Sequence, residues 1–384
     1  MPESDKRVAL LYPCGNLSNS PPTIILAELL AQNGFNLDVF SVRNINVPIY
    51  KFVNSNIKHY IMPITQRRLR EPRSVVTAIF MAWVMPVLTK RTYSCIIGSG
   101  LRGLIIASVA SRYNHIPFVY NCLEFYPYQF NNVWFKLFER YAIRHSTRVI
   151  IQDPLRAQFL KEDTHITDDR IVYMPNSTLG LANREESKFL QTRFHIPEDK
   201  KIILSAGVFS KNRMMLETTV SAQGWPEEWT LVLHAAQVND PDYVEGVKAA
   251  DTANRVVFSL EPVPFQELPA LIASAQIGLA LYNPMGDANT EYMGMASGKV
   301  AQYLRCGKPV VVSDLPGMAD LIRRYNCGAV IKEPSELKDA LQTVFDDHET
   351  MVLNAINCFN TEFSLDRYSG PIIHEFTELL QHVS

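Results

Sequence analysis

The sequence is notable first for what it lacks. Its six cysteines (Cys14, Cys95, Cys122, Cys306, Cys327 and Cys358) form no Cys-x-x-Cys pair and no dense framework, so it does not read as a disulfide scaffold; it reads as a chain whose thiols stay reduced. It has no run of like charges and no low-complexity tract, which leaves little of it to disorder. Net charge is also small, formally -2. No general attraction to nucleic acid follows, and any anion must be held by a local site. The most lipid-like stretch, Val75 to Leu88, contains Pro86 and falls short of the roughly 20 residues that span a bilayer. The opening MPESDKR leads straight into an apolar strand without the core or cleavage site of a secretory signal, so the expectation is a mature, cytoplasmic chain. No repeat is visible, and no Gly-x-Gly-x-x-Gly opens the first crossover helix, which speaks against a hydride-transferring dehydrogenase.

What is present is an ordinary globular composition, 47% hydrophobic and 20% charged, in 384 residues. That length suits two domains, each able to bury its own core. Short β-branched runs alternate with helical patterns: Arg7–Tyr12, Asn36–Val42, Ile57–Met62, Ser94–Gly98, Pro117–Asn121, Thr147–Gln152 and Arg170–Tyr173. A polar stretch from Thr178 to Lys200 interrupts them. The rhythm then resumes with Lys201–Ala206, Thr230–His234, Arg255–Leu260, Gln276–Leu281, Lys308–Ser313 and Cys327–Ile331. Alternation of this kind predicts an α/β protein of two Rossmann-like, doubly wound parallel-sheet domains facing a central cleft, where ligands should bind. The expected division is 1–180 for the acceptor-side domain, 181–200 for a linker, 201–350 for the donor domain, and 351–384 for outer helices that return toward the first lobe.

The segment Asn289 to Gly317 reads as loop, helix, turn, strand and loop in succession. Within it Ser297, Gly298 and Lys299 open a helix. Exposed amides there, a glycine permitting close approach and a nearby lysine suit a diphosphate. The bland alternative is that Ser297 caps the helix and Lys299 faces solvent.

The stretch K-V-A-Q-Y-L-R-C-G-K-P-V-V-V-S-D-L-P-G, Lys299 to Gly317, resembles a motif of nucleotide-sugar-dependent GT-B glycosyltransferases, in their glycosyltransferase group 4-like branch. The resemblance is good over roughly the last 180 residues and weaker before them. It implies that Lys299 clamps the donor phosphates. It also implies a second clamp, Arg213, six positions after Gly207 in Leu204–Arg213, with Lys211 as a helper; a planar guanidinium suits bidentate phosphate contact. The alternative for Arg213 is a surface arginine at a helix start. Two departures stand out. Val208 replaces an arginine common in relatives, and Gln302 stands where the family usually has a ribose-gripping glutamate, keeping hydrogen bonding but not charge.

The resemblance further implies that the Glu261–Pro264 loop, with Val263, meets the nucleobase through its backbone, which leaves the base unread. Asp287, Asn289 and Glu291 have the polar groups to hold the donor sugar, or to form an ordinary solvated loop. On the acceptor side, Gly15 and Asn16 belong to the loop after the first strand. Glu124, after Pro117–Asn121, is the candidate catalytic group, able to orient or deprotonate an acceptor hydroxyl; its alternative is a surface acid. Arg213 and Lys299 would stabilise the departing diphosphate, so no cofactor and no obligatory metal is expected. The partners expected are a nucleotide-sugar donor and a carbohydrate, lipid-linked or small-molecule acceptor, with no nucleic acid. The basic loop Gln66–Arg73 and the apolar stretch after it fit a peripheral contact with the inner membrane face, or a solvated loop before a buried crossover helix. A nucleotide-sugar epimerase and a non-catalytic nucleotide-sugar-binding protein remain alternative readings.

Overall fold

In the structure, a computed structural model, residues 7–15, 17–43, 49–65, 73–125, 133–238 and 240–381 are described. The chain divides into two compact units, Met1–Thr178 with Leu365–Ser384, and Leu179–Ser364.

The first unit alternates strand and helix as β1 (Arg7–Tyr12), α1 (Pro21–Gln32), β2 (Asn36–Arg43), β3 (Ile57–Thr65), α2 (Arg73–Lys90), β4 (Cys95–Ser99) and α3 (Gly100–Asn114). It continues with β5 (Phe118–Asn121), α4 (Val133–His145), β6 (Arg148–Ile151), α5 (Pro154–Thr164) and β7 (Ile171–Tyr173). The strands form one parallel sheet in the order β3-β2-β1-β4-β5-β6-β7. Central strands such as β1, buried from Val8 to Tyr12, are apolar on both faces because both lie under cover. Prolines at its first two positions open α1, and Gly34, at φ +84°, follows its end, as the Asn33-Gly34 pair predicts.

A Gly-x-Gly-x-x-Gly does occur one crossover later, at Gly98, Gly100 and Gly103 between β4 and α3. A Cβ on Gly98 would meet the Gly103 carbonyl oxygen at 2.5 Å, and one on Gly103 would meet that of Leu11 at 2.7 Å. These glycines let the helix lie against the sheet. The acid that a dinucleotide site needs on the following strand end is absent: Asn121 is there, donating to Ser99 Oγ at 2.9 Å.

The second unit contains α6 (Phe189–Phe194), β8 (Lys201–Phe209), α7 (Met215–Ala222), β9 (Trp229–Val238), α8 (Pro241–Ala249), β10 (Val256–Ser259), α9 (Leu268–Ala273) and β11 (Ile277–Ala280). It closes with α10 (Ala288–Glu291), α11 (Gly298–Arg305), β12 (Val310–Ser313), α12 (Met318–Tyr325), β13 (Gly328–Ile331), α13 (Leu337–Asp346) and α14 (His348–Cys358). Its parallel sheet runs β10-β9-β8-β11-β12-β13. The polar stretch read as a linker includes α6, anchored by the fully buried Leu190, whose N–H donates to Ser274 Oγ. Strand β8 outruns its expected end at Ala206, with a register shift against β9 at Gly207/Val208. After a π-helical turn at Phe359–Phe363 comes α15 (Leu365–Gln381), which belongs to the first unit. There Phe376 packs edge-on to Phe35, and Glu375 pairs with Arg148.

Candidate functional site

In an open parallel sheet, ligands gather beyond the strand ends where the order reverses. In the second sheet that point lies between β8 and β11. The segment after β8 is the short 3-10 turn Lys211–Arg213, and the segment after β11 begins with Leu281 and Tyr282. Asn283 N–H donates to the Asn212 carbonyl at 2.9 Å, tying the two together. Met214, at φ +55°, turns the chain from this loop into α7. Such left-handed non-glycine backbone is uncommon and concentrates at functional loops.

The third component is the start of α11. Ser297 is its N-cap, accepting from Val300 N–H at 3.4 Å, and its hydroxyl also bonds Tyr282 Oη at 2.8 Å. The capping role weighed for Ser297 is therefore present. Lys299 does not face solvent. Its Cε and Nζ lie 3.3 and 3.6 Å from where a Cβ on Gly207 would stand, with Gly207 at φ +144°. A side chain there would meet both unfavourable backbone and the lysine.

The aromatic ring of Tyr282 links the two cations. Arg213 Cζ lies 4.3 Å from its centroid and Lys299 Nζ 5.5 Å, within cation–π range. Arg213 Nη1 and Lys299 Nζ are both buried and have no hydrogen-bond partner in the protein. Burial first, and the neighbouring positive charge of Arg213 second, bring the Lys299 pKa down to about 7. A buried cation without a carboxylate is costly. Two cations that converge on one ring, each with a buried nitrogen lacking a protein partner, beside a glycine and a helix start, suit a multiply charged anion.

The other expected positions divide. Gln302 lies one turn after Lys299 on α11 and is half-buried. Lys211 is exposed, its Nζ 5.9 Å from the Tyr243 ring of α8 and so directed to another neighbour. Asp287 caps α10: its carboxylate accepts from Asn289 N–H (3.1 Å) and Thr290 Oγ1 (3.0 Å). Asn289 is half-buried and Glu291 exposed on that short helix. Val263 packs at the edge of the core. One Asp-x-Asp triplet exists, Asp240-Pro241-Asp242, and it opens α8, with Asp240 accepting from Tyr243 N–H at 3.1 Å. Among the described residues, no three His, Cys, Asp or Glu side chains gather in a way that could hold a metal ion. The residue missed in the sequence is Tyr282; its place two residues beyond β11, at the reversal point, is the signal that could have found it.

In the first unit, the reversal lies between β1 and β4. Gly15, after β1, is buried and its carbonyl accepts from Val42 N–H. Asn16 and most of the basic loop, residues 66–72, lie outside the described residues. Glu124 is exposed on the loop after β5. Beneath that loop the buried Arg156 places its guanidinium 4.3 Å from the Phe125 ring centroid and donates to the Leu123 carbonyl at 3.3 Å.

Residues 242–369 match the family model "Glucosyltransferase 3-like, C-terminal domain". No curated protein sequence matches the chain. The fold is similar to that of sucrose-phosphate synthase from Thermosynechococcus elongatus, at TM-score 0.76 and 16% identity over 98% of this chain and 100% of that one. It is also similar to Anabaena HepE in complex with UDP-glucose, at TM-score 0.69 and 15% identity over 98% and 99%. A third similar structure is WaaG, described as a glycosyltransferase of lipopolysaccharide biosynthesis, at TM-score 0.67 and 15% identity over 96% and 99%. Two parallel sheets with their covering helices and these likenesses give the chain the GT-B fold, with a convergent pair of cations at the second sheet's reversal point, and its residues 242–369 match a glucosyltransferase 3-like C-terminal domain.

Proposed function

We propose that the protein transfers a hexosyl or related sugar from a nucleoside diphosphate sugar, UDP-sugars foremost, to a carbohydrate, lipid-linked or small-molecule acceptor, with retention of configuration. The observation that carries this reading is the convergence of Arg213 Nη1 and Lys299 Nζ, buried and without protein partners, on Tyr282 beside Gly207. The UDP-glucose held by HepE supports uracil as the base. In the transfer, the donor's anomeric carbon–oxygen bond breaks, its electron pair going to the diphosphate, and a bond forms to an acceptor hydroxyl oxygen. Charge grows on the diphosphate, and two fixed cations stabilise it most at that moment. Lys299 and Arg213 are the clamps, the α11 start with Ser297 and Gly298 supplies amides, and Gln302 reaches toward the nucleoside without charge. Asp287 acts on the donor sugar only by shaping the loop that bears Asn289 and Glu291. Glu124 orients the acceptor hydroxyl or takes its proton. No obligatory metal is needed, and the setting is cytoplasmic.

A thermal-shift screen against UDP-, GDP-, ADP- and CMP-sugars tests the donor site, since a ligand of the folded state raises apparent stability by mass action. A UDP-sugar should raise the melting temperature with chelator present, and Arg213→Ala and Lys299→Ala should each weaken its binding by about tenfold to a hundredfold, the worth of a charged hydrogen bond. No shift with any donor, in folded protein, would overturn the reading.

A further inference from the structure

Helices α2, α3 and α4 pack in sequence, α2 on α3 and α3 on α4. Together they contain seven lysines and arginines and one acid, Glu139. Glu139 is buried and accepts from Lys136 Nζ at 2.8 Å, so the three helices present no carboxylate to solvent. On α4, Trp134, Leu137 and Tyr141 recur at helical spacing and are 81%, 47% and 43% exposed. On α3, Val109 and Tyr113, one turn apart, are exposed too. Arg112 Nη1 donates to Tyr141 Oη at 3.1 Å, which joins the two stripes into one surface. Five of the twelve exposed large apolar side chains among the described residues therefore lie here, with Arg112, Arg144 and His145 exposed among them. Acids return on and after α5, at the exposed Glu162, Asp168 and Asp169.

Solvated helices ordinarily turn charge outward and aromatics inward. A tryptophan and two tyrosines set outward among arginines, with no acid, match the chemistry of a bilayer's headgroup zone, where aromatic rings settle at the apolar boundary and basic side chains meet anionic lipid. We propose that the α3–α4 face seats the protein on an anionic membrane surface. No helix among the described residues is long and apolar enough to cross a bilayer, so this contact is peripheral. It lies on the helices after Gln66–Leu88, where the sequence alone suggested such contact, and it stands apart from the transferase reading because it requires no sugar donor.

The test is flotation of the full chain with liposomes, either of phosphatidylcholine alone or with about one-third phosphatidylglycerol. The wild type should float only with the anionic vesicles, and less at high salt. The double variants Trp134→Ser/Leu137→Ser and Arg112→Glu/Arg144→Glu, with unchanged circular dichroism, should each bind roughly tenfold more weakly or worse. Failure of the wild type to float with anionic vesicles, or unchanged binding by the Trp134→Ser/Leu137→Ser protein, would overturn the proposal. So would a wild-type dimer in sedimentation velocity that this variant converts to monomer, which would make the face a contact between copies.

Discussion

Lys299 is the residue on which the proposed donor site turns, and its physical state is unusual. With its pKa near 7 in the fold and about 10.4 in an unfolded chain, it holds fewer protons folded than unfolded across that interval. Unfolding therefore takes up protons there, and the stability of the unliganded protein should rise as pH goes from 7 to 10. Donor affinity should move the opposite way, because a diphosphate favours the protonated amine: it should fall as pH climbs above 7. Arg213→Ala removes the neighbouring positive charge and should shift that inflection upward. Denaturant titrations and donor titrations across this range check both slopes, and parallel rather than opposed trends would exclude a phosphate-facing Lys299. The Lys299 motif could be read from sequence, yet nothing in a linear sequence marks a lysine as buried. The partnership with Tyr282 also went unseen, because the two side chains meet only when β8, β11 and α11 assemble.

Elements were more legible than side chains. Strands of β-branched residues and the Asn33-Gly34 stop marked the elements along the chain, since these signals are local, whereas the strand order of each sheet came only with the structure. What the pattern hid depends on single tertiary contacts: α6 rests on Leu190, and the prolongation of β8 on a register shift at Gly207. Close packing carries a testable cost. A Cβ on Gly278 of β11 would meet the Tyr303 ring at 2.4 Å, and Tyr303 Oη both accepts from Ala206 N–H and donates to the Leu204 carbonyl. Gly278→Ala should destabilise the protein by about 1–3 kcal/mol and weaken donor binding, since it disturbs the strand that leads to Gly207. Gly246, inside α8 with open space around it, gives the control: Gly246→Ala should stabilise by about 0.5–1 kcal/mol. Urea denaturation of both variants measures this, and equal effects would mean that the crowding at Gly278 is not real.

At the scale of the whole chain, two parallel sheets and a glucosyltransferase 3-like segment agree with the class read from the Lys299–Gly317 motif. That motif carried so far because the proposed phosphate site draws on one loop, one helix start and one strand that are contiguous in sequence. The proposed acceptor side is not contiguous: Gly15 and Glu124 lie on separate loops of the first sheet, and no spacing rule relates them. The donor clamp is accordingly the central claim. Its most direct measurement is the calorimetric titration of UDP-glucose at about pH 8, one unit above the Lys299 pKa, in two buffers of different ionisation enthalpy. The account predicts uptake of close to one proton on binding by the wild type and almost none by Lys299→Met; binding without uptake, or equal uptake in both proteins, would contradict it.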